Sequence, residues 1–450
     1  MKTIVEGKTN IIRLLGRQRL INTKYRIMKY VLHAECAEGV LLLNVITGRV
    51  VLLEEEDAPL LRNLPSAYSV KMNDLIENYY LVPEDYDEKN TVQKLRSILG
   101  RILEPKGIEG YTILTTTNCN ARCFYCYESD LPRLNMDEAT AENLVKYMVD
   151  HREDNSTLKL HWFGGEPLVC VNRIDQICKD LTARNIGFVS SMTSNGYLFT
   201  EQMVKRAATS WRLKSIQITL DGTEGIYNRT KAYVAVKGSP YQRVLDNIQL
   251  LISFGIRVII RLNLDKHNYS DLKDLINELA NKIKDHKMID VYSHVLFEDA
   301  GFAPIKRDDE SRVKLYSKQV ELNIELEKLG LNRQRRTLPF LKTHHCMADI
   351  SNSVVVYPDG KLFKCEHVEI GDDFGHIEAG ISNQNGIIKF QELTELPECD
   401  ICPIYPSCIL LRNCQGVRDK NAFTCKYDVD AYIKALKVQY THFIHKTASD

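Results

Sequence analysis

The chain has 450 residues, with 59 Lys plus Arg against 59 Asp plus Glu, so its formal charge is zero. That length predicts two or three domains with ample core, and the neutral balance provides no global field toward nucleic acid or an anionic membrane surface. Met1–Glu6 mixes charges with its apolar residues and lacks a signal-peptide core, and no apolar run reaches bilayer length, so a soluble cytoplasmic protein is expected.

Residues 1–85 read as a small unit. Val40–Leu53 gives two apolar strands meeting near Thr47-Gly48, a hairpin signal. The acidic run Glu54–Asp57 ahead of Pro59 suits a helix start, because negative charge favours the positive end of the helix dipole. A second helix is expected over roughly 71–79, leading to Leu81-Val-Pro83. Residues 86–110 read as a linker helix ending near Leu103, with Pro105, Gly107 and Gly110 marking a boundary.

From 111 to about 300, strands predicted at 111–116, 157–163, 187–193, 214–220, 256–263 and 289–295 alternate with amphipathic segments such as Ala141/Leu144/Met148 and Val244/Ile248/Leu251. Six β–α units predict an α/β fold, a partial (β/α)6 TIM-like barrel whose chemistry sits at the C-terminal strand ends. Four loops fall at those ends: Cys119–Cys126, Gly164-Gly165-Glu166, Ser194-Asn195-Gly196 and Asp221-Gly222. Arg261 and Asn263 end the fifth strand and are candidates to line the cavity. Residues 301–345 form a bridging segment with an amphipathic helix over 308–330, and the basic run Arg333–Arg336 reads as a solvated turn.

Thirteen cysteines are dense for a reducing compartment, and they read as metal ligands rather than disulfides. Three form Cys119-x3-Cys123-x2-Cys126, and seven lie between 346 and 425; Cys36, Cys170 and Cys178 read as small buried hydrophobes. Three clustered thiolates can hold three corners of a four-iron cluster and leave one iron open. A structural zinc site wants four ligands, and no fourth Cys or His lies in the stretch.

With Tyr125 before its last cysteine, this motif resembles the signature of radical S-adenosylmethionine (radical SAM) enzymes. The resemblance implies that the open iron binds S-adenosylmethionine, whose reductive cleavage releases a 5′-deoxyadenosyl radical. It also implies a cofactor-binding set that includes Tyr125, Ser194 and Asp221, with Gly164, Gly165 and Glu166 for the amino group, Asn195 for the ribose and Thr219 for the carboxylate. Lys231 stands where many relatives have an arginine for the cofactor carboxylate, and Tyr227-Asn228 stands where many have His-Asp.

The C-terminal cysteines, Cys346 and Cys365 and then Cys399-x2-Cys402-x5-Cys408-x5-Cys414 and Cys425, resemble an SPASM domain over 346–450. This chain has five residues where the usual pattern has three between the third and fourth cysteines of the run. The resemblance implies two auxiliary [4Fe-4S] clusters, for three in all. Cys399, Cys402, Cys408 and Cys425 would hold the outer one, and Cys346, Cys365 and Cys414 the inner one. Read alone, this domain with its Cys-x2-Cys pairing favours a pair of zinc sites. Glu366 follows Cys365, where sulfatase-maturing relatives carry a proton-accepting aspartate; a surface salt-bridge role suits it equally.

Residues 1–85 resemble the winged-helix-like element that binds leader peptides in front of peptide-maturing relatives, by adding them to a sheet edge. The whole resemblance implies a maturase that cross-links a ribosomally made precursor peptide, through a thioether or a carbon–carbon bond. It also implies an external reductant such as flavodoxin or ferredoxin. A sulfatase-type formylglycine maturase and a zinc-stabilised binding protein without chemistry are the alternatives.

Overall fold

The computed structural model describes residues 1–16, 18, 23–102, 107–283, 285–296, 310–332, 338–344, 346–367, 371–391, 395, 397–408 and 429–449. The basic run 333–336, Cys414 and Cys425 lie outside the described residues. The N-terminal strands are β1 (Lys2–Val5), β2 (Lys24–Ile27), β3 (Val31–Cys36), β4 (Gly39–Asn44), β5 (Arg49–Glu54), β6 (Ser66–Ala67) and β7 (Leu81–Pro83). They form two antiparallel sheets, ordered β1-β5-β4-β3 and β6-β2-β7.

The β4–β5 hairpin turns where the sequence places it. Asn44 Oδ1 accepts from the Ile46 and Thr47 amides, and Gly48 takes φ +69°. β4 is buried along its whole length, because Leu41, Leu42 and Leu43 all lie in the core. The segment Pro59–Arg62 makes a single helical turn, a second short helix spans Asn73–Glu77, and the linker helix spans Glu88–Ile102.

Six parallel strands follow: β8 (Gly110–Thr116), β9 (Leu158–Gly164), β10 (Phe188–Ser194), β11 (Leu213–Leu220), β12 (Arg257–Leu264) and β13 (Ile289–Val295). Each matches its sequence expectation within a residue. Helices return the chain between strands, and three begin on side-chain caps: Asp137 accepts from Thr140 N, Thr200 from Met203 N and Ser239 from Gln242 N.

Alternation along these strands divides the barrel into two surfaces. Ile216, Ile218, Val258, Ile260 and Leu262 are fully buried in the main core, while His161, Ser191, Thr193, Gln217 and Arg261 line a cavity. The sheet then continues. β14 (Ser353–Val356) pairs in parallel with β8, and β15 (Lys361–Phe363), β16 (Gly375–His376) and β17 (Gly380–Ile381) extend it antiparallel to ten strands.

A second apolar core gathers the N-terminal sheets with Ile404, Tyr405, Cys408, Ala435 and Leu436. Tyr405 stacks on Tyr30 at 6.0 Å, and Arg96 donates to the Tyr405 and Pro406 carbonyls. The segment 397–408 is thus seated on the N-terminal unit. Among the described residues, no helix is long and apolar enough to cross a membrane.

Candidate active site

The loop from Cys119 to Cys126 leaves the end of β8 and is tied down on several sides. Arg122 N donates to Lys231 O at 2.9 Å, Val234 N to Asn120 O at 2.9 Å, and Asn195 Nδ2 to Asn120 Oδ1 at 2.7 Å. Burial pushes all three thiols upward, Cys119 to about 12 with the Glu166 carboxylate adding to it. Uncompensated, such thiols stay protonated; a polynuclear cation in their midst would offset the burial and hold them as thiolates. Ala121 N lies 3.4 Å from Cys119 Sγ, the kind of N–H contact a thiolate accepts. The donor set therefore fits an iron–sulfur centre. Among the described residues, no three His, Cys, Asp or Glu side chains converge tightly enough to hold a single metal ion.

Gly164 and Gly165 are required by the loop itself. A Cβ on Gly164, at φ +107°, would stand 2.2 Å from Thr116 O, and one on Gly165 would stand 2.4 Å from Asn118 O. Both glycines make a close approach to the backbone leading into Cys119. Glu166 is fully buried and links two strand ends: it accepts from Leu168 N, from Ser194 Oγ at 2.9 Å and from Asn195 N at 2.8 Å. Burial raises its carboxyl to about 7 against these three donors. Asn195 Nδ2 also lies 4.0 Å from Cys119 Sγ, so its amide faces the cysteine loop.

Asp221, Lys231, Tyr125 and Asn263 form one buried network. Tyr125 OH donates to Asp221 Oδ1 at 2.9 Å and accepts from Lys231 Nζ at 2.8 Å; Asn263 Nδ2 donates to the same Asp221 oxygen at 2.8 Å. The Lys231 ammonium lies 3.1 Å from Asp221 Oδ2, both side chains almost wholly buried. Burial opposes the ammonium, but Asp221 together with Tyr125, Cys123 and Tyr227 outweighs it and holds the lysine well above its ordinary value. Lys231 thus fixes the aromatic residue of the cysteine motif both directly and through Asp221, and its charge is already matched.

Above the strand ends lies a cavity of about 710 Å³, large enough for a small organic ligand. It reaches from Thr219 and Asn263 to Cys346, Glu366 and His367. His161 lies 2.8 Å from Ser191 Oγ and 3.1 Å from Thr193 Oγ1, and burial lowers its imidazole to about 4, so it is neutral. Tyr292 OH donates to Gln217 at 2.8 Å. These polar residues were not singled out from sequence. The signal was present in the every-second-residue placement of Ser215, Gln217 and Thr219 around Ile216 and Ile218.

Glu366 has its carboxyl in the cavity wall rather than on the outer surface. Burial raises its carboxyl, with Arg261 opposing. Glu128, two residues beyond Cys126, is raised to about 8 by burial and then by Glu366, with Arg133 opposing. The Tyr127 and His367 rings stack beside them at 4.0 Å. The structure brings Cys126 of the first cysteine group and Cys346 of the second to one cavity. Cys399, Cys402 and Cys408 instead pack on the N-terminal core. Of the three cysteines read as buried hydrophobes, Cys178 is buried, while Cys36 and Cys170 are only half-buried.

Comparison with known proteins adds to this geometry. Residues 113–279 match the Radical SAM superfamily. The chain carries a radical SAM domain. An uncharacterised protein of Methanocaldococcus jannaschii is 25% identical over 273 residues, covering 58% of this chain and 86% of its own length. A cysteine-type anaerobic sulfatase-maturating enzyme of Clostridium novyi is 28% identical over 171 residues, 34% of this chain and 43% of its own. The solved structure of anSMEcpe with bound AdoMet superposes with a TM-score of 0.57 at 15% identity, covering 75% of this chain and 98% of that one. Streptococcus suis SuiB bound to S-adenosylmethionine gives 0.50 at 15% identity, covering 85% and 94%. These structural likenesses show a shared fold. The Radical SAM domain implies S-adenosylmethionine and one [4Fe-4S] cluster.

Proposed function

We propose that this radical SAM enzyme is a peptide maturase that closes an intramolecular cross-link, thioether or carbon–carbon, in a ribosomally made precursor. The observation carrying this reading is the shared cavity, in which barrel strand ends face Cys346 and Glu366. Two comparisons support it. The anSMEcpe structure has also been solved with AdoMet and the Cp18Cys peptide, and the SuiB likeness extends over 85% of this chain.

Cys119, Cys123 and Cys126 would hold the catalytic cluster, which with bound S-adenosylmethionine supplies the 5′-deoxyadenosyl radical that abstracts hydrogen. Gly164, Gly165 and Glu166 are assigned to the cofactor amino group, Ser194 and Asn195 to the ribose, and Thr219 to the carboxylate. Tyr125, Asp221 and Lys231 hold the loop in register beneath them. Glu366 is assigned the proton acceptor, since a carboxyl raised by burial is a better base near neutral pH than an ordinary one. Cys346, Cys365 and Cys414, and Cys399, Cys402, Cys408 and Cys425, are assigned to two auxiliary clusters. The leader peptide would dock on residues 1–85, and flavodoxin or ferredoxin would serve as reductant.

Iron and sulfide per chain test the assignment, measured on anaerobic wild type and on Cys119/Cys123/Cys126→Ala. Three four-iron clusters give about twelve irons, falling to about eight in the variant. Zinc without sulfide would remove the radical reading, and about four irons would remove the auxiliary clusters. Mass spectrometry then looks for a peptide lighter by two hydrogens.

A sulfatase-type activity is the second reading, favoured by the Clostridium novyi likeness. Deleting residues 1–85 discriminates poorly, because they share an apolar core with Tyr405 and Leu436. Competition by an isolated leader peptide is the cleaner test: it inhibits a leader-dependent maturase and leaves sulfatase-type activity unchanged.

A further inference from the structure

Arg261 lines the reaction cavity, and no carboxylate is within ion-pair distance of it among the described residues. It is the register partner of Thr219 across β11 and β12, and both residues face the cavity. Its guanidinium is fixed rather than swinging freely. Nε donates to Asn263 Oδ1 at 3.0 Å, while His294 Nδ1, 3.3 Å from Nη2, donates to the Val295 carbonyl at 2.7 Å. Five N–H donors belong to a guanidinium, so more than half are left for a ligand. Lys231, to which sequence assigns the cofactor carboxylate, is instead matched by Asp221 at 3.1 Å.

We infer that Arg261 anchors a carboxylate carried into the cavity by a ligand, with the Thr219 hydroxyl as the neighbouring donor. The inference rests on the radical SAM reading of this cavity. A planar, oriented guanidinium suits a carboxylate through two parallel hydrogen bonds, which a lysine does not reproduce. That carboxylate has two sources: S-adenosylmethionine itself, or an acidic group of the peptide substrate.

Full-length anaerobic enzyme, Arg261→Gln and Arg261→Lys are compared, with iron content checking that each folds and loads. In one arm, calorimetry measures S-adenosylmethionine and its decarboxylated analogue. In the other, saturation-transfer NMR follows glutarate and the neutral glutaramide on S-adenosylmethionine-saturated enzyme. If the cofactor supplies the carboxylate, Arg261→Gln weakens S-adenosylmethionine about tenfold, Arg261→Lys regains part of the loss, and the decarboxylated analogue is indifferent to both. If the substrate supplies it, cofactor affinity is unchanged, and a glutarate signal seen in wild type disappears in Arg261→Gln and is absent for glutaramide. Unchanged cofactor affinity with no glutarate contact overturns the inference, as does an equal loss for the decarboxylated analogue. Wild type that binds no S-adenosylmethionine overturns the underlying reading and the inference with it.

Discussion

The two described cysteine regions are built on opposite principles. Around Cys119–Cys126, one loop is held by backbone and side-chain hydrogen bonds from several strand ends, over a buried charge pair. Cys346 and Cys365 flank two strands added to the barrel sheet, β14 and β15, whereas Cys399, Cys402 and Cys408 ride on short turns packed against a different core. The first site is organised by polar contacts within one domain. The second depends on apolar docking between distant parts of the chain. Damage to each should therefore have a separate signature.

The largest expected effect is on the first. Asp221→Asn leaves Lys231 buried without its counter-charge, a change that typically costs about 3–5 kcal/mol. Urea denaturation followed at the barrel should show that loss, and Asp221→Asn/Lys231→Met should recover much of it. No recovery would mean that Asp221 acts chiefly through Tyr125 and Asn263. For the second region, Tyr405→Ala removes a fully buried ring stacked on Tyr30, at a cost of about 3 kcal/mol. Hydrogen exchange should rise in β3–β5 while β8–β12 stay protected; equal loss in both would merge the two regions into one cooperative unit.

A smaller effect is set by pH. His161 is neutral in the fold, lowered to about 4 by burial, while an unfolded histidine titrates near 6.5. The unfolded chain takes up the proton first as pH falls. Its contribution is therefore complete above pH 6.5 and is lost toward pH 4, by about 2 kcal/mol at pH 5. His161→Gln should flatten the stability difference between pH 7 and pH 5. An unchanged slope would assign the dependence to other groups.

Much of this was legible in the chain because it is local. The six core strands announce themselves by alternation, the hairpin turn by Thr47-Gly48, and the cysteine spacing by itself. What was hidden depends on pairing between segments. Asp221 and Lys231 were each recognisable, but their mutual neutralisation follows from the packing of the 224–231 helix under the loop. Glu166 was readable as a motif residue, not as the bridge between the β9 and β10 ends. The pairing of β1 with β5 and of β3 with β4, on either side of the visible hairpin, leaves no periodic mark.

The pairing of β14 with β8 also carries a consequence for biosynthesis. Gly110 meets Ser353 in that ladder, so the partner of the first barrel strand is made more than two hundred residues later. At roughly 5–20 residues per second, the ribosome leaves that edge of β8 open for about 10–50 s. During this interval the nascent barrel presents an unpaired strand beside its cysteine loop, the condition in which a chaperone or an early-loaded cofactor has most to protect.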